Sequence, residues 1–272
     1  MKEKRPCRKW IEISLVIGGF LTLIAIWYIV SLILKNNGNN VLPYPHETLG
    51  RAFGFLFSVE EAGRTWVNMG WTLWRLIVGY GLSFILAAIL GTLAGLFPYV
   101  RRFLMSWVGI MKVIPTAAVV IILIGMFFGP QNKGIVTYVP AMLTMIVAFP
   151  IIYEGFVKGI REEDPALKDA LEIDSAKHDI RTVWRIHWPL IRPYIVLSLV
   201  TSLGMSMKVT VMSEVLTASS TGKLGIGGMI MTANQTGTVE DVIAYSWIAV
   251  VMMLVLDIPW FIVKYKNSKK AK

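Results

Sequence analysis

The chain has 272 residues, 55% of them hydrophobic and 16% charged, with mean hydropathy +0.61 and a net charge of +10. Soluble domains are roughly 45–50% apolar and about 25% charged, so the surplus apolar surface excludes an ordinary soluble globule and points to lipid. The lone cysteine, Cys7, excludes an internal disulfide, and the positive charge sits in loops between apolar runs, so no nucleic-acid partner is expected.

Residues 1–9 form a basic tail. The apolar run Trp10–Leu34 reads as a first membrane span. It is too long for a signal-peptide core and lacks a small-x-small cleavage site, so it is expected to be retained. Segment 35–70 opens with Asn-rich sequence and carries Pro43 and Pro45. Roughly two short amphipathic helices are expected there, one starting near Glu47 and Thr48, the other near Ser58, Glu60 and Glu61.

Five further spans are expected within 71–263: Trp71–Pro98 with Arg75, Phe103–Phe128 with Lys112 and Pro115, Gly134–Tyr153, Leu190–Leu216 with Lys208 and Glu214, and Val242–Val263 with Asp257. Each has roughly 20–28 residues, enough to cross ~30 Å of hydrocarbon as a tilted helix. None alternates as a barrel strand would. Gly91 and Gly95 form a Gly-xxx-Gly that is either a close-packing surface or a chance pair. The longest polar loop, 154–189, holds two short amphipathic stretches, the first opening on Asp164 and Pro165. A basic tail, 264–272, closes the chain. The fold class is thus all-α, a polytopic membrane protein with about six transmembrane helices plus short amphipathic cytoplasmic helices.

Lys and Arg set the orientation. The N-terminal tail, the turn holding Arg101 and Arg102, the 154–189 loop and the C-terminal tail are rich in them, whereas the opposite set holds Lys35, Arg51, Arg64, Lys133 and Lys223. The rich set is expected in the cytoplasm, with both termini inside and the protein in the cell (inner) membrane.

No catalytic constellation and no metal-ligand spacing appears among the three histidines and the single cysteine. No Gly-x-x-x-x-Gly-Lys-Ser/Thr occurs, so the chain is not read as an enzyme or a nucleotide-binding subunit. Charges inside spans carry more weight, because each is costly in hydrocarbon and faces protein or a watery cavity. Lys208 and Glu214 are six residues apart, 240° round the wheel, so they do not pair within one helix. Arg75 and Lys112 are candidate partners for Glu214. These four groups either hold helices together or line a pathway.

The loop then carries a specific resemblance. Asp164-Pro-Ala-Leu-Lys-Asp-Ala-Leu-Glu-Ile-Asp-Ser-Ala-Lys-His, followed by Trp184-Arg-Ile-His-Trp-Pro189, resembles the cytoplasmic motif of binding-protein-dependent ABC importer permeases. Leu42-Pro-Tyr-Pro45, Thr72-Leu-Trp-Arg75, Lys112-Val-Ile-Pro115, Phe127-Phe-Gly129, Gly204-Met-Ser-Met-Lys208 and Ser213-Glu214 are similar to its nitrate/taurine/sulfonate-type branch. The likeness covers about residues 40–260. Three departures fall in the loop: Asp169-Ala170-Leu171 stands for the family's Glu-Ala-Ala, Asp174 or Ser175 for its glycine, and the stretch to Pro189 is one residue longer.

The resemblance implies a permease without catalytic residues. A coupling helix around Asp164, Pro165, Leu167, Asp169, Ala170, Leu171, Glu172, Asp174, Ser175, Ala176 and Lys177, with Pro189 beyond it, would dock on a separate ATPase. It further implies two ATPase copies holding ATP and Mg, a second permease copy (a homodimer), an extracytoplasmic substrate-binding protein or lipoprotein, and surrounding membrane lipids. The chain itself would bind no cofactor. Its cargo would be a small polar or anionic solute. A stand-alone secondary transporter is the alternative, and a membrane protein without cargo is a third class.

Overall fold

The structure is a computed structural model and describes residues 6–38, 41–127, 129, 132–162 and 182–270. Among the described residues there is no strand. Helix α1 spans Pro6–Asn36, α2 Pro45–Phe57, α3 Ala62–Leu96, α4 Pro98–Val113, α5 Thr116–Phe127, α6 Lys133–Val136 and α7 Val139–Arg161. A π-helical turn, Val183–His187, leads into α8, Trp188–Thr217. A short α9, Gly225–Thr236, and a long α10, Val239–Lys270, complete the chain. Among the described residues five helices are long and apolar enough to cross a bilayer, or six if a bent pair counts as one span.

Helix α7 is the centre, packed between α3 and α8. Glycines permit both contacts. A Cβ at Gly91 would sit 2.8 Å from the Phe156 Cβ, and one at Gly95 would sit 2.7 Å from Ile160. On the other face of α7, a Cβ at Gly159 would come within 2.7 Å of Ile191, and one at Gly155 would collide with Ser198. The Gly91–Gly95 pair is therefore a packing surface. Lipid offers no hydrophobic incentive for helices to associate, so close backbone approach and dispersion hold them together instead. Buried Ala87, Ala148, Ile152 and Phe156 fill the seam.

The expected third span is not one helix. It splits into α4 and α5, bent by 96°. Pro115 has no N–H to continue the ladder and drives the preceding Ile114 out of the α region, to φ −64°, ψ 127°. At 1.5 Å per residue, α4 is about 24 Å long and α5 about 18 Å, so neither arm alone matches the hydrocarbon thickness.

Two boundaries also differ from expectation. The second short helix of the 35–70 segment begins at Ala62 but runs on without a proline as the first 13 Å or so of a continuous α3, which ends at Leu96. Helix α7 extends eight residues past Tyr153, so the polar loop begins as helix. The described part of the second amphipathic stretch, Val183–His187, is continuous with α8.

Helix α1 is peripheral: Leu15, Phe20, Leu23 and Ile29 are exposed. It is tied at one end, where Trp27 stacks on Trp247 at 6.0 Å and Lys35 pairs with Glu47 at 3.1 Å. Helix α2 lies across α10, with Phe55 stacked on Tyr245 at 4.1 Å and Arg51 bonded to Asp241 at 2.8 Å. The backbone N–H of Tyr44 donates to the Glu47 carboxylate at 2.8 Å and fixes the start of α2. That bond, with the Lys35 ammonium beside it, holds the Glu47 carboxyl below its ordinary value.

Candidate functional site

Arg75 and Glu214 meet. Both side chains are fully buried, and the guanidinium donates to Glu214 Oε1 at 2.6 Å. Glu214 Oε2 accepts from the Thr72 hydroxyl at 2.8 Å and from the Gly227 N–H at 3.1 Å. Arg75 also donates to the carbonyls of Thr137 (2.8 Å), Leu224 (3.0 Å) and Lys223. A buried charge survives only when paired and hydrogen-bonded, and here both conditions hold.

The node does more than neutralise charge. The first N–H groups of α9 have no partner within their own helix, and three side chains from other helices supply one each. Gly225 N–H donates to Asn68 Oδ1 at 3.1 Å, Ile226 N–H to Thr72 Oγ1 at 2.8 Å, and Gly227 N–H to Glu214. A carboxylate at a helix N-terminus is also favoured by the helix dipole. Gly225 has φ +76°, and a side chain there or at Gly227 would strike Glu214 or the Val211 carbonyl. One buried ion pair thus joins α3, the turn before α7, α8 and the entry to α9. At its rim Lys223 lies 3.9 Å from the Trp71 ring centroid, and the Thr137 and Thr221 hydroxyls are 2.9 Å apart.

The charge pattern of the sequence offered Arg75 and Lys112 as partners for Glu214, of which the fold takes Arg75, and it missed the cap on α9. The available signal was the run Leu224-Gly-Ile-Gly-Gly at the head of an apolar stretch, where glycines mark close backbone approach.

Lys112 does not reach Glu214. It pairs with Glu154 of α7 instead, because the bend at Pro115 keeps α4 beside the far end of α7. Lys208 stands apart from both pairs. It lies on the exposed face of α8, among Leu197, Met205 and Met212, and none of the ion pairs among the described residues includes it. The opposite face of α8 is a buried column of hydroxyls, Ser198, Ser202, Ser206 and Thr210, with Thr210 bonded to Thr144 of α7 at 2.6 Å.

Of the loop positions, Pro189 is the second residue of α8 and is exposed. Asp164, Pro165, Leu167, Asp169, Ala170, Leu171, Glu172, Asp174, Ser175, Ala176 and Lys177 lie outside the described residues.

The sequence pattern of the family described as binding-protein-dependent transport system inner membrane component matches residues 66–271, from the start of α3 through α10. Similar chains include probable ABC transporter permease proteins of Brucella melitensis biotype 1 and of Brucella abortus strain 2308. Each is 27% identical over 197 residues, which cover 71% of this chain and 73% and 72% of those relatives. A bundle of apolar helices, packed through glycines and locked by a buried ion pair, fits a membrane-spanning subunit. The chain belongs to the family of inner membrane components of binding-protein-dependent transport systems, as an ABC transporter permease.

Proposed function

We propose that two copies of this chain form the translocation pathway of an ATP-driven importer, with Lys208 facing that pathway. The observation that carries the reading is the uncovered lysine two-thirds along α8. Against hydrocarbon its charge would cost about 2.5–3.5 kcal/mol or more, so the exposed face of α8 needs water or a second copy beside it. A cation there suits a small polar or anionic solute, in keeping with the nitrate/taurine/sulfonate-type resemblance. The Arg75–Glu214 node, by contrast, holds helices and does not touch cargo.

The loop 164–189 couples the permease to a pair of ATPase subunits, which hold ATP and Mg. It leaves α7 and returns into α8, the two helices sealed together through Gly155 and Gly159. A push on the loop would therefore tilt α7, α8 and the tightly packed α3 as one body, a rigid-body change of access. An extracytoplasmic binding protein or lipoprotein would deliver cargo. In this reading both termini lie in the cytoplasm and the chain in the inner membrane; the excess of Lys and Arg in one set of loops supports that orientation.

The test is ATP-dependent uptake by the complete transporter in proteoliposomes, with ATP hydrolysis read in parallel. Lys208→Met should assemble normally and raise the cargo KM at least severalfold. Ala170→Glu or Ser175→Arg should separate ATP hydrolysis from uptake. Wild-type uptake in Lys208→Met would refute the pathway assignment, and wild-type coupling in both loop variants would refute the docking assignment. Uptake by the permease without any ATPase would favour a stand-alone secondary transporter.

A further inference from the structure

A second site, separate from the exposed face of α8, lies between α4 and the end of α7. We propose that this cleft binds the phosphate headgroup of an anionic phospholipid.

The cleft has a volume of about 620 Å³. Arg101 and Lys112 line it from α4, and Tyr153, Lys158 and Arg161 from α7. Arg101 and Lys112 are eleven residues apart, which returns to the same helix face within about 20°. Four cations face two carboxylates, Glu154 and Glu162. Glu154 is taken by Lys112, and Glu162 by Lys158 at 3.6 Å and by the Tyr194 hydroxyl at 2.7 Å. Among the described residues Arg101 is in no ion pair, so a cation is left facing the cleft.

A second observation points to a ligand. Tyr153 is only 4% exposed, and its hydroxyl is buried without a hydrogen-bond partner among the described residues. An orphaned buried hydroxyl costs about 1–3 kcal/mol, and a phosphate oxygen in the cleft would accept from it. A bare cation would find neither charge balance nor a carboxylate left to coordinate it.

Its surroundings select an amphiphile. Met105, Val108 and Val157 line the same cleft, and Phe103, Trp107 and Ile110 of α4 are exposed on the helix surface. Acyl chains would lie along that apolar surface while the headgroup sits among the basic groups. Basic pockets between transmembrane helices recognise anionic lipid in this way. The inference requires only that the chain sits in a bilayer, and it is independent of the cargo and of the coupling loop.

The experiment is lipid retention by the intact purified transporter, measured by native mass spectrometry after exchange into phosphatidylglycerol/phosphatidylcholine mixtures. Wild type should retain phosphatidylglycerol preferentially. Arg101→Gln should lose that preference about fivefold, the factor for one basic group near a membrane anion, and Arg101→Lys should recover most of it. Tyr153→Phe keeps the ring packed and removes only the hydroxyl, so it should weaken retention without lowering the melting temperature. Equal retention of the two lipids by wild type would overturn the proposal, as would unchanged preference in both Arg101→Gln and Tyr153→Phe. Displacement of all bound lipid by inorganic phosphate, with no preference between headgroups, would assign a free-anion site and overturn the lipid.

Discussion

Glu214→Gln is the most direct perturbation of this protein, because one atom changes at the junction of four segments. The glutamine has a single carbonyl oxygen where Glu214 uses two acceptors, Oε1 for Arg75 and Oε2 for Thr72 and Gly227. Its NH2 group must face a donor, and the Arg75 guanidinium, fully buried, loses its counter-charge. Breaking one side of a buried pair costs about 3–5 kcal/mol. For a protein of this size that lowers the melting temperature by roughly 10 °C, taking about 2–4 °C per kcal/mol. Thermal unfolding of the detergent-purified chain, followed through its ten tryptophans, reads the shift. Exchanging the charges, Arg75→Glu with Glu214→Arg, should not restore stability. Only an arginine at position 75 is placed to donate to the carbonyls of Thr137, Lys223 and Leu224. A Glu214→Gln melting temperature within 2 °C of wild type, or full recovery by the exchange, would refute the reasoning, where 2 °C is about 1 kcal/mol.

Two further outcomes follow from the same structure. Gly91→Val and Gly159→Val should each destabilise by about 1–3 kcal/mol through overpacking against Phe156 and Ile191, while Gly81→Ala, with open space around it, should be neutral or slightly stabilising in the same melting assay. The Glu47 carboxyl lies below its ordinary value of 4.5 in the folded chain, so its contribution to anchoring α2 is fully present above that value and is lost as pH falls through the depressed one. Fluorescence of Trp27, stacked on Trp247 beside this anchor, should change over that acid window in wild type, and in Glu47→Gln the change should be absent.

The all-helical, many-span character was legible because hydropathy is a local property, and a run of about 20 apolar residues has few fates in a chain of this composition. Part of the lock was legible as well. A buried Glu214 requires a positive partner, and the charges inside spans are few, so Arg75 and Lys112 were the candidates. Choosing between them needed the fold: Pro115 marked a break in the sequence, but the size of the bend, which takes Lys112 to Glu154, depends on what α4 and α5 pack against. The exposure of Lys208 was likewise undecided, since a helical wheel gives a residue's angle but not which face the neighbours cover.

By itself, then, the sequence determined an all-helical membrane subunit and the kind of partner each buried charge must find. The tertiary structure decided which partner, and it revealed what no local pattern contains: three side chains on α3 and α8 capping α9, and a basic cleft between α4 and α7. The reason is physical. Apolar length and charge are set residue by residue, whereas a cap or a cleft exists only when groups more than a hundred residues apart in one case, and some fifty in the other, are brought to hydrogen-bonding range or to a shared cavity.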